Sequence, residues 1–301
     1  GVKNFLDKAD GNALNTIGLG QGDDKVTINL GANSQNSVFG DNGNDKIKFT
    51  GKKIILDEII NGGDGTDTII IEQSHDNFLN LESIEKIILK NIASGKNTIA
   101  KTDGSLAVTV QAGANDVPSN FHILKLPSAS NINVLNATGE TAGIGSFSAT
   151  YDKFETNDTI NIDSKKESGD FYTDNIGIVT LNFNDIVAAN DSDFKFDKAT
   201  KVLINSEKSF AVRDFVGDFS TAIDVLKELV IIGNDIISIG STAHTSKLEI
   251  VDLTSNGNID ILKLGSGALS TISLNSQNGD IRVNEIDVSN SGRESEINLI
   301  A

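Results

Sequence analysis

Apolar and polar residues trade places along this chain in short runs. "LEIVDL" (248–253) and "IDILKL" (259–264) keep close to the two-residue period of a half-buried β-strand. Between such runs sit polar corners that lead straight into aliphatic residues. They recur as "NTIA" (97–100), "NINV" (131–134), "NDTINI" (157–162), "NDIISI" (234–239), "GNIDI" (257–261) and "NGDIRV" (278–283). Asn, Asp and Gly turn a chain cheaply, and β-branched residues fit a pleated surface, so each corner predicts a turn that feeds a strand. Pro118 and Pro127 bracket "SNFHILKL", which predicts a short strand within a connection over 113–130. Two stretches depart from the rhythm. "FVGDFSTAIDVLKELVII" (215–232) spaces Phe219, Ile223, Leu226 and Val230 as on one helix face, with Asp218 or Ser220 as N-cap, and predicts one amphipathic helix near 218–230. Residues 185–215, with "DSDFKFD", read as an inserted loop or an edge element.

The first hundred residues carry a stricter pattern. "LGQGDDKVT" (19–27), "GDNGNDKIK" (40–48) and "GGDGTDTII" (62–70) align as Gly-Gly-x-Gly-x-Asp-x-aliphatic-x. The third copy matches every fixed position. Leu19 replaces the first glycine of the first copy, and Asp41 replaces the second glycine of the second. The shared aspartates are Asp24, Asp45 and Asp67, separated by 45 − 24 = 21 and 67 − 45 = 22 residues. So even a spacing predicts one solenoid coil per repeat. Glycine lets several carbonyls turn inward within a few residues, the aspartate adds charge, and the aliphatic residue two places on (Val26, Ile47, Ile69) points into the coil. That mixture of carbonyl and carboxylate oxygens is the donor set of calcium. The same loops would otherwise serve as plain Asn/Asp-Gly turns of a metal-free solenoid.

Composition narrows the picture. Aromatics make up 5% of the chain and Trp, Met and Cys are absent, so Ile, Leu, Val and Phe must fill the core, as suits many short strands. Without cysteine there is neither a disulfide nor a thiolate metal site. The net charge of −17 disfavours nucleic acid and anionic membrane surfaces as partners and favours cations. No apolar run reaches the length of a membrane span, and Gly1 to Asp10 is too polar for a signal peptide. His75, His122 and His244 stand far apart in no ligand spacing, and His75 reads as a solvated turn residue. No Gly-x-Ser-x-Gly elbow or phosphate-binding glycine loop is present, and arginine is confined to Arg213, Arg282 and Arg293. No pair of carboxylates stands out for acid–base chemistry, so an enzyme is not expected.

The three loops resemble the glycine-rich nonapeptides of RTX proteins, the calcium-binding parallel β-roll family, over about residues 15–72. "FLNLESIEKIILKN" (78–91) is similar to the segment that follows such repeats in surface-layer and adhesin proteins. The family coil is usually two nonapeptides, about 18 residues. Here the second corner is "GANSQN" (31–36) or "GKKIILDEI" (51–59), so calcium is expected along one edge and polar turns along the other. The resemblance implies an all-β fold, a right-handed parallel β-roll or β-solenoid with RTX calcium loops. Its Ca2+ ligands would come from Gly20, Gly22, Asp23 and Asp24, then Gly40, Asp41, Asn42, Gly43 and Asp45, then Gly62, Gly63, Asp64, Gly65 and Asp67. Three sections are expected: a calcium-binding roll (1–112), a β-rich middle with the helix (113–232) and a C-terminal solenoid (233–301). The resemblance further implies type I secretion to the extracellular cell surface and self-association into a two-dimensional surface-layer lattice. Another region would meet a cell-surface glycan or lipopolysaccharide. The alternatives are an adhesin segment that binds a surface glycan, and the non-catalytic C-terminal part of a secreted enzyme.

Overall fold

The computed structural model of the chain describes residues 2–6, 14–30, 35–51, 54, 58–72, 77–90, 96–101, 104–111, 119–127, 130–135, 144–163, 170–185, 187–216, 225–266, 268–288 and 295–301. They divide into two compact units, Gly1–Thr141 with Ala149–Lys153 and Ala142–Ser148 with Phe154–Ala301. Both are built from parallel β-strands wound as a solenoid.

The first unit opens with β1 (Val2–Leu6), β2 (Leu14–Gly18), β3 (Lys25–Leu30), β4 (Gln35–Phe39) and β5 (Lys46–Gly51). It continues with β6 (Ile59–Asn61), β7 (Thr68–Ile71), β8 (Asn77–Glu82) and β9 (Lys86–Lys90). Then come β10 (Lys96–Lys101), β11 (Ala107–Gln111), β12 (Ser119–Leu126) and β13 (Asn131–Leu135). From β1 to β11 each strand pairs in parallel with the strand two places on. The odd strands β1 to β13 form one row and β2, β4, β6, β8, β10 and β12 another. The odd row shows why the sequence winds this way. Val26, Ile47, Ile69, Ile87, Val108 and Ile132 stand in register as one buried column. Ile28, Phe49, Ile71, Leu89, Val110 and Val134 form a second. A two-residue slip would keep the inward face but break the columns, and a one-residue slip would turn every apolar side chain to water. Each fully buried aliphatic side chain contributes roughly 1.5–3 kcal/mol.

Where the even strands begin, polar residues are buried and stacked. Asn36 Nδ2 donates to Glu58 Oε1 at 3.4 Å. Asn77 accepts from the Ile54 amide at 3.0 Å and donates from Nδ2 to Asn97 Oδ1 at 3.0 Å. Residues 31–34, 52–53 and 55–57 of the two polar corners lie outside the described residues, as does His75. The strand expected between Pro118 and Pro127 is β12.

In the chain order β14 (Ile144–Asp163) follows, divided between the two units. The second unit continues with β15 (Phe171–Phe183), β16 (Val187–Phe196), β17 (Lys201–Ser206), β18 (Phe210–Val216) and β19 (Glu228–Gly233). After them run β20 (Ile237–His244), β21 (Ile250–Ser255), β22 (Ile259–Gly265), β23 (Thr271–Ser276), β24 (Ile281–Asp287) and β25 (Glu296–Ile300). The i, i+2 pairing continues, with Val179, Val202, Leu229, Val251 and Ile272 as one buried column. One long strand, β15, serves both rows: Phe171 to Thr173 pair with β16 and Ile178 to Phe183 with β17.

Two expectations need correction. The helix near 218–230 does not form over its second half, where β19 begins at Glu228; residues 217–224 lie outside the described residues. Leu229 and Ile231 find buried columns in both neighbouring coils, whereas Val230, on the supposed helical stripe, faces outward and is only half-buried. Tertiary pairing outweighs a helical spacing of four residues. From residue 187 on, the stretch read as a loop or an edge element holds β16, β17 and β18 with short turns between them, each paired to strands of neighbouring coils. The phenylalanines of "DSDFKFD", Phe194 and Phe196, are buried among Phe171, Phe183, Phe210 and Phe215, with ring centroids 5.3–6.4 Å apart. Among the described residues no helix is long and apolar enough to cross a membrane.

Candidate functional site

The three glycine–aspartate segments stack on one edge of the first unit, each leading into an odd strand. Their aligned positions share backbone conformation as well as sequence. The second position is left-handed in all three copies, Gly20 at φ 89°, Asp41 at 70° and Gly63 at 92°. So Asp41 adopts what its glycine counterparts adopt, a conformation aspartate tolerates better than most residues. The fourth position is Gly22, Gly43 and Gly65, with φ of 94°, 137° and 139°. The first position is crowded. A Cβ on Gly40 would stand 2.1 Å from the Gly62 carbonyl oxygen and 2.5 Å from Asp45 Oδ2. One on Gly62 would stand 2.1 Å from the Ser83 carbonyl oxygen and 2.5 Å from Asp67 Oδ2.

Asp24, Asp45 and Asp67 form a column that runs inside the corner. All three are buried, with 5%, 1% and 0% of their surface exposed. Asp45 Oδ1 accepts the Asp24 amide at 2.7 Å, and Asp67 Oδ1 accepts the Asp45 amide at 2.7 Å. Asp45 and Asp67 thus each use one carboxylate oxygen to tie two coils. The other oxygen, Oδ2, is buried without a hydrogen-bond partner in both Asp45 and Asp67. Burial pushes both carboxyls above the usual range. The accepted amide pulls the other way, and neighbouring carboxylates add to the rise. An unpartnered buried carboxylate oxygen is costly, and a cation would relieve that cost.

The remaining expected ligands divide by depth. Asp23, Asp41, Asn42 and Asp64 are exposed at the loop tips. Asp23 Oδ1 accepts the Asn44 amide at 2.8 Å, and Asn44 Oδ1 accepts the Thr66 amide at 2.9 Å, so an outer ladder runs parallel to the carboxylate column. The Asp41 carbonyl accepts the Asp64 amide at 2.7 Å. Among the described residues no three Asp, Glu, His or Cys side chains gather around one point. An ion on this edge would therefore draw on one carboxylate per coil and on backbone carbonyls. That donor chemistry suits a hard cation with six to eight oxygen ligands, and the residues present fit calcium.

One residue of the column escaped the sequence reading. The Asp67 amide donates to Glu85 Oε2 at 2.8 Å, repeating the tie between lower coils. The legible signal was an acid two places before an aliphatic residue, Glu85-Lys86-Ile87, as in Asp67-Thr68-Ile69.

The chain matches no protein-family model, no curated protein and no solved structure.

Proposed function

We propose that this chain is a calcium-dependent structural subunit of a secreted bacterial surface layer, related to the RTX proteins. The observation that carries the calcium part is the buried, unpartnered Oδ2 of Asp45 and Asp67 on a carbonyl-rich edge. Ca2+ would be held there by Asp24, Asp45 and Asp67 with carbonyls of the glycine loops. Bound calcium neutralises like charges stacked coil on coil, so it drives folding of that edge. The lattice, the type I secretion route and the extracellular location rest on the resemblance of the repeats and of residues 78–91. The role is structural and not catalytic.

Chelating calcium is expected to raise hydrogen exchange selectively over residues 15–72, with a smaller change beyond about residue 130. Uniform loss of protection, or none, would count against a localised edge. Asp67→Ala is expected to shift the calcium midpoint of folding upward, while Asp152→Ala, exposed on β14, should leave it in place. Equal midpoints would remove the role assigned to Asp67. Electron microscopy with and without calcium tests the lattice: ordered sheets should form only with the ion.

A second reading, an adhesin segment that binds a surface glycan, has one observation in its favour. On the outer face of β18, β20, β22 and β24 an open groove runs over Gly240 between Arg213, Leu262, Asp260 and Arg282. Arg213 is held by Asp193 at 2.7 Å and Arg282 by Asp280 at 2.9 Å, an array of paired acids and guanidiniums suited to vicinal hydroxyls. Glycan binding by the isolated monomer, lost on Arg213→Ala, would favour this reading over the lattice.

A further inference from the structure

The glycine motif stops after the third loop, but the geometry it builds does not. Asn61 pairs with Glu82 and Thr68 with Lys86. Ser83 therefore stands in register with Gly62, and Glu85 with Asp67. The corner between those strands is six residues long in the third coil (62–67) and three in the fourth (83–85). The fourth corner still reproduces two features of the loops below it. First, the carboxylate tie recurs, at 2.8 Å from the Asp67 amide to Glu85 Oε2. Glutamate, one methylene longer than aspartate, spans the extra reach of the shorter corner. Second, the pairing of a free carboxylate oxygen with a carbonyl recurs. Asp45 Oδ2 lies with the Gly62 carbonyl beside Gly40, and Asp67 Oδ2 lies with the Ser83 carbonyl beside Gly62. Asp67 is wholly buried and this oxygen has no partner, so the position has the same unmet need as the one below. Ser83 takes a left-handed φ of 47° at a place where no glycine is present.

From this repetition we infer that the cation edge extends one coil past the glycine loops. Ser83, through its carbonyl, and Glu85, through its carboxylate, hold a further divalent cation against Asp67 Oδ2. The inference rests on the calcium reading of the edge and adds to it a site that no glycine–aspartate motif marks. Glu85 closes the column, because the next coil offers Leu106 before Ala107, the partner of Lys86.

The test is a count of calcium ions per full-length chain, by equilibrium dialysis and atomic emission, for the wild type, Glu85→Gln and Glu82→Gln. Glutamine keeps a carbonyl oxygen that can accept the Asp67 amide, so the coil tie survives while the charge is lost. Glu82, whose Oε2 accepts from Asn61 Nδ2 at 2.8 Å, controls for the loss of one negative charge nearby. The expected result is one ion fewer in Glu85→Gln, or at least tenfold weaker binding of one ion, and an unchanged count in Glu82→Gln. An unchanged count and affinity in Glu85→Gln would overturn the inference and leave Glu85 as a backbone cap. Equal losses in both variants would overturn it too, as a general charge effect. A wild type that binds no calcium would remove the calcium reading itself, and this site with it.

Discussion

Asp158→Asn is expected to stabilise the protein at pH 8, by at most about 4 kcal/mol, and to change little at pH 4. Asp158 lies on β14, in the part that belongs to the second unit. Its Oδ2 is closed off from solvent and has no hydrogen-bond partner. Its Oδ1 accepts the Thr159 amide at 2.7 Å. Burial pushes the carboxyl up to about 7 from an ordinary value of 3.8, and the accepted amide offsets only part of that. A raised acid binds its proton more readily in the folded state than in the unfolded one. Stability is therefore lost as pH climbs from about 4 to 7, and above 7 the folded chain carries the full cost of a buried charge. A difference of about 3 pKa units at 1.36 kcal/mol each sets the ceiling. Asparagine keeps the acceptor for Thr159 and never ionises. Urea titrations at pH 4, 6 and 8 would show the gain growing with pH. A gain that stays constant with pH would mean that Asp158 is not a buried acid.

Gly62→Ala should cost about 3 kcal/mol or more, a fall in Tm of roughly 6–12 °C for a domain of this size. Gly62 does not have a positive φ, so backbone strain plays no part. The new Cβ would sit 2.1 Å from the Ser83 carbonyl oxygen, 2.5 Å from Asp67 Oδ2 and 2.6 Å from Asp67 Cβ. None of these can withdraw cheaply, because the carbonyl belongs to the next coil and Asp67 is fixed by its tie to the Asp45 amide. The clash would also spread apart the oxygens assigned to the ion, so calcium affinity should fall with stability. Gly18→Ala is the control: a Cβ there meets nothing within 4 Å. Thermal melts that place the two variants within 0.5 kcal/mol of each other would mean that the coils are not packed this closely.

Much of the first unit was legible because one coil repeats the chemistry of the last. The 21- and 22-residue steps between Asp24, Asp45 and Asp67 are the coil pitch, and the aliphatic residue two places after each aspartate starts a buried column. Glu85 was missed because reading by motif demanded glycine, and a three-residue corner has no room for the loop that glycine serves. The second unit was harder to read for the opposite reason. Its corners are varied, and its aromatic core stands in a polar stretch, since Phe194 and Phe196 alternate with outward Asp193, Lys195 and Asp197. The supposed helix failed because four residues at helical spacing also satisfy a strand once neighbouring coils supply the columns. The free Oδ2 atoms were not legible at all, since they follow from which oxygen each aspartate spends on the coil below.

Parallel coils tied only to the coils beside them respond to tension in a particular way. Pulled from one end of a unit, such a stack yields one coil at a time, because detaching a coil breaks only the pairings it shares with the next. Each event frees about 22 residues on the aspartate edge, the step between Asp45 and Asp67. At 3.3–3.6 Å of contour per residue, that is a lengthening of roughly 75 Å. A force trace of this protein should therefore be a staircase and not a single drop, its treads set by coil steps that run from 18 residues (Thr68 to Lys86) to 27 (Lys201 to Glu228). Calcium would raise the risers only where carboxylates cross from coil to coil.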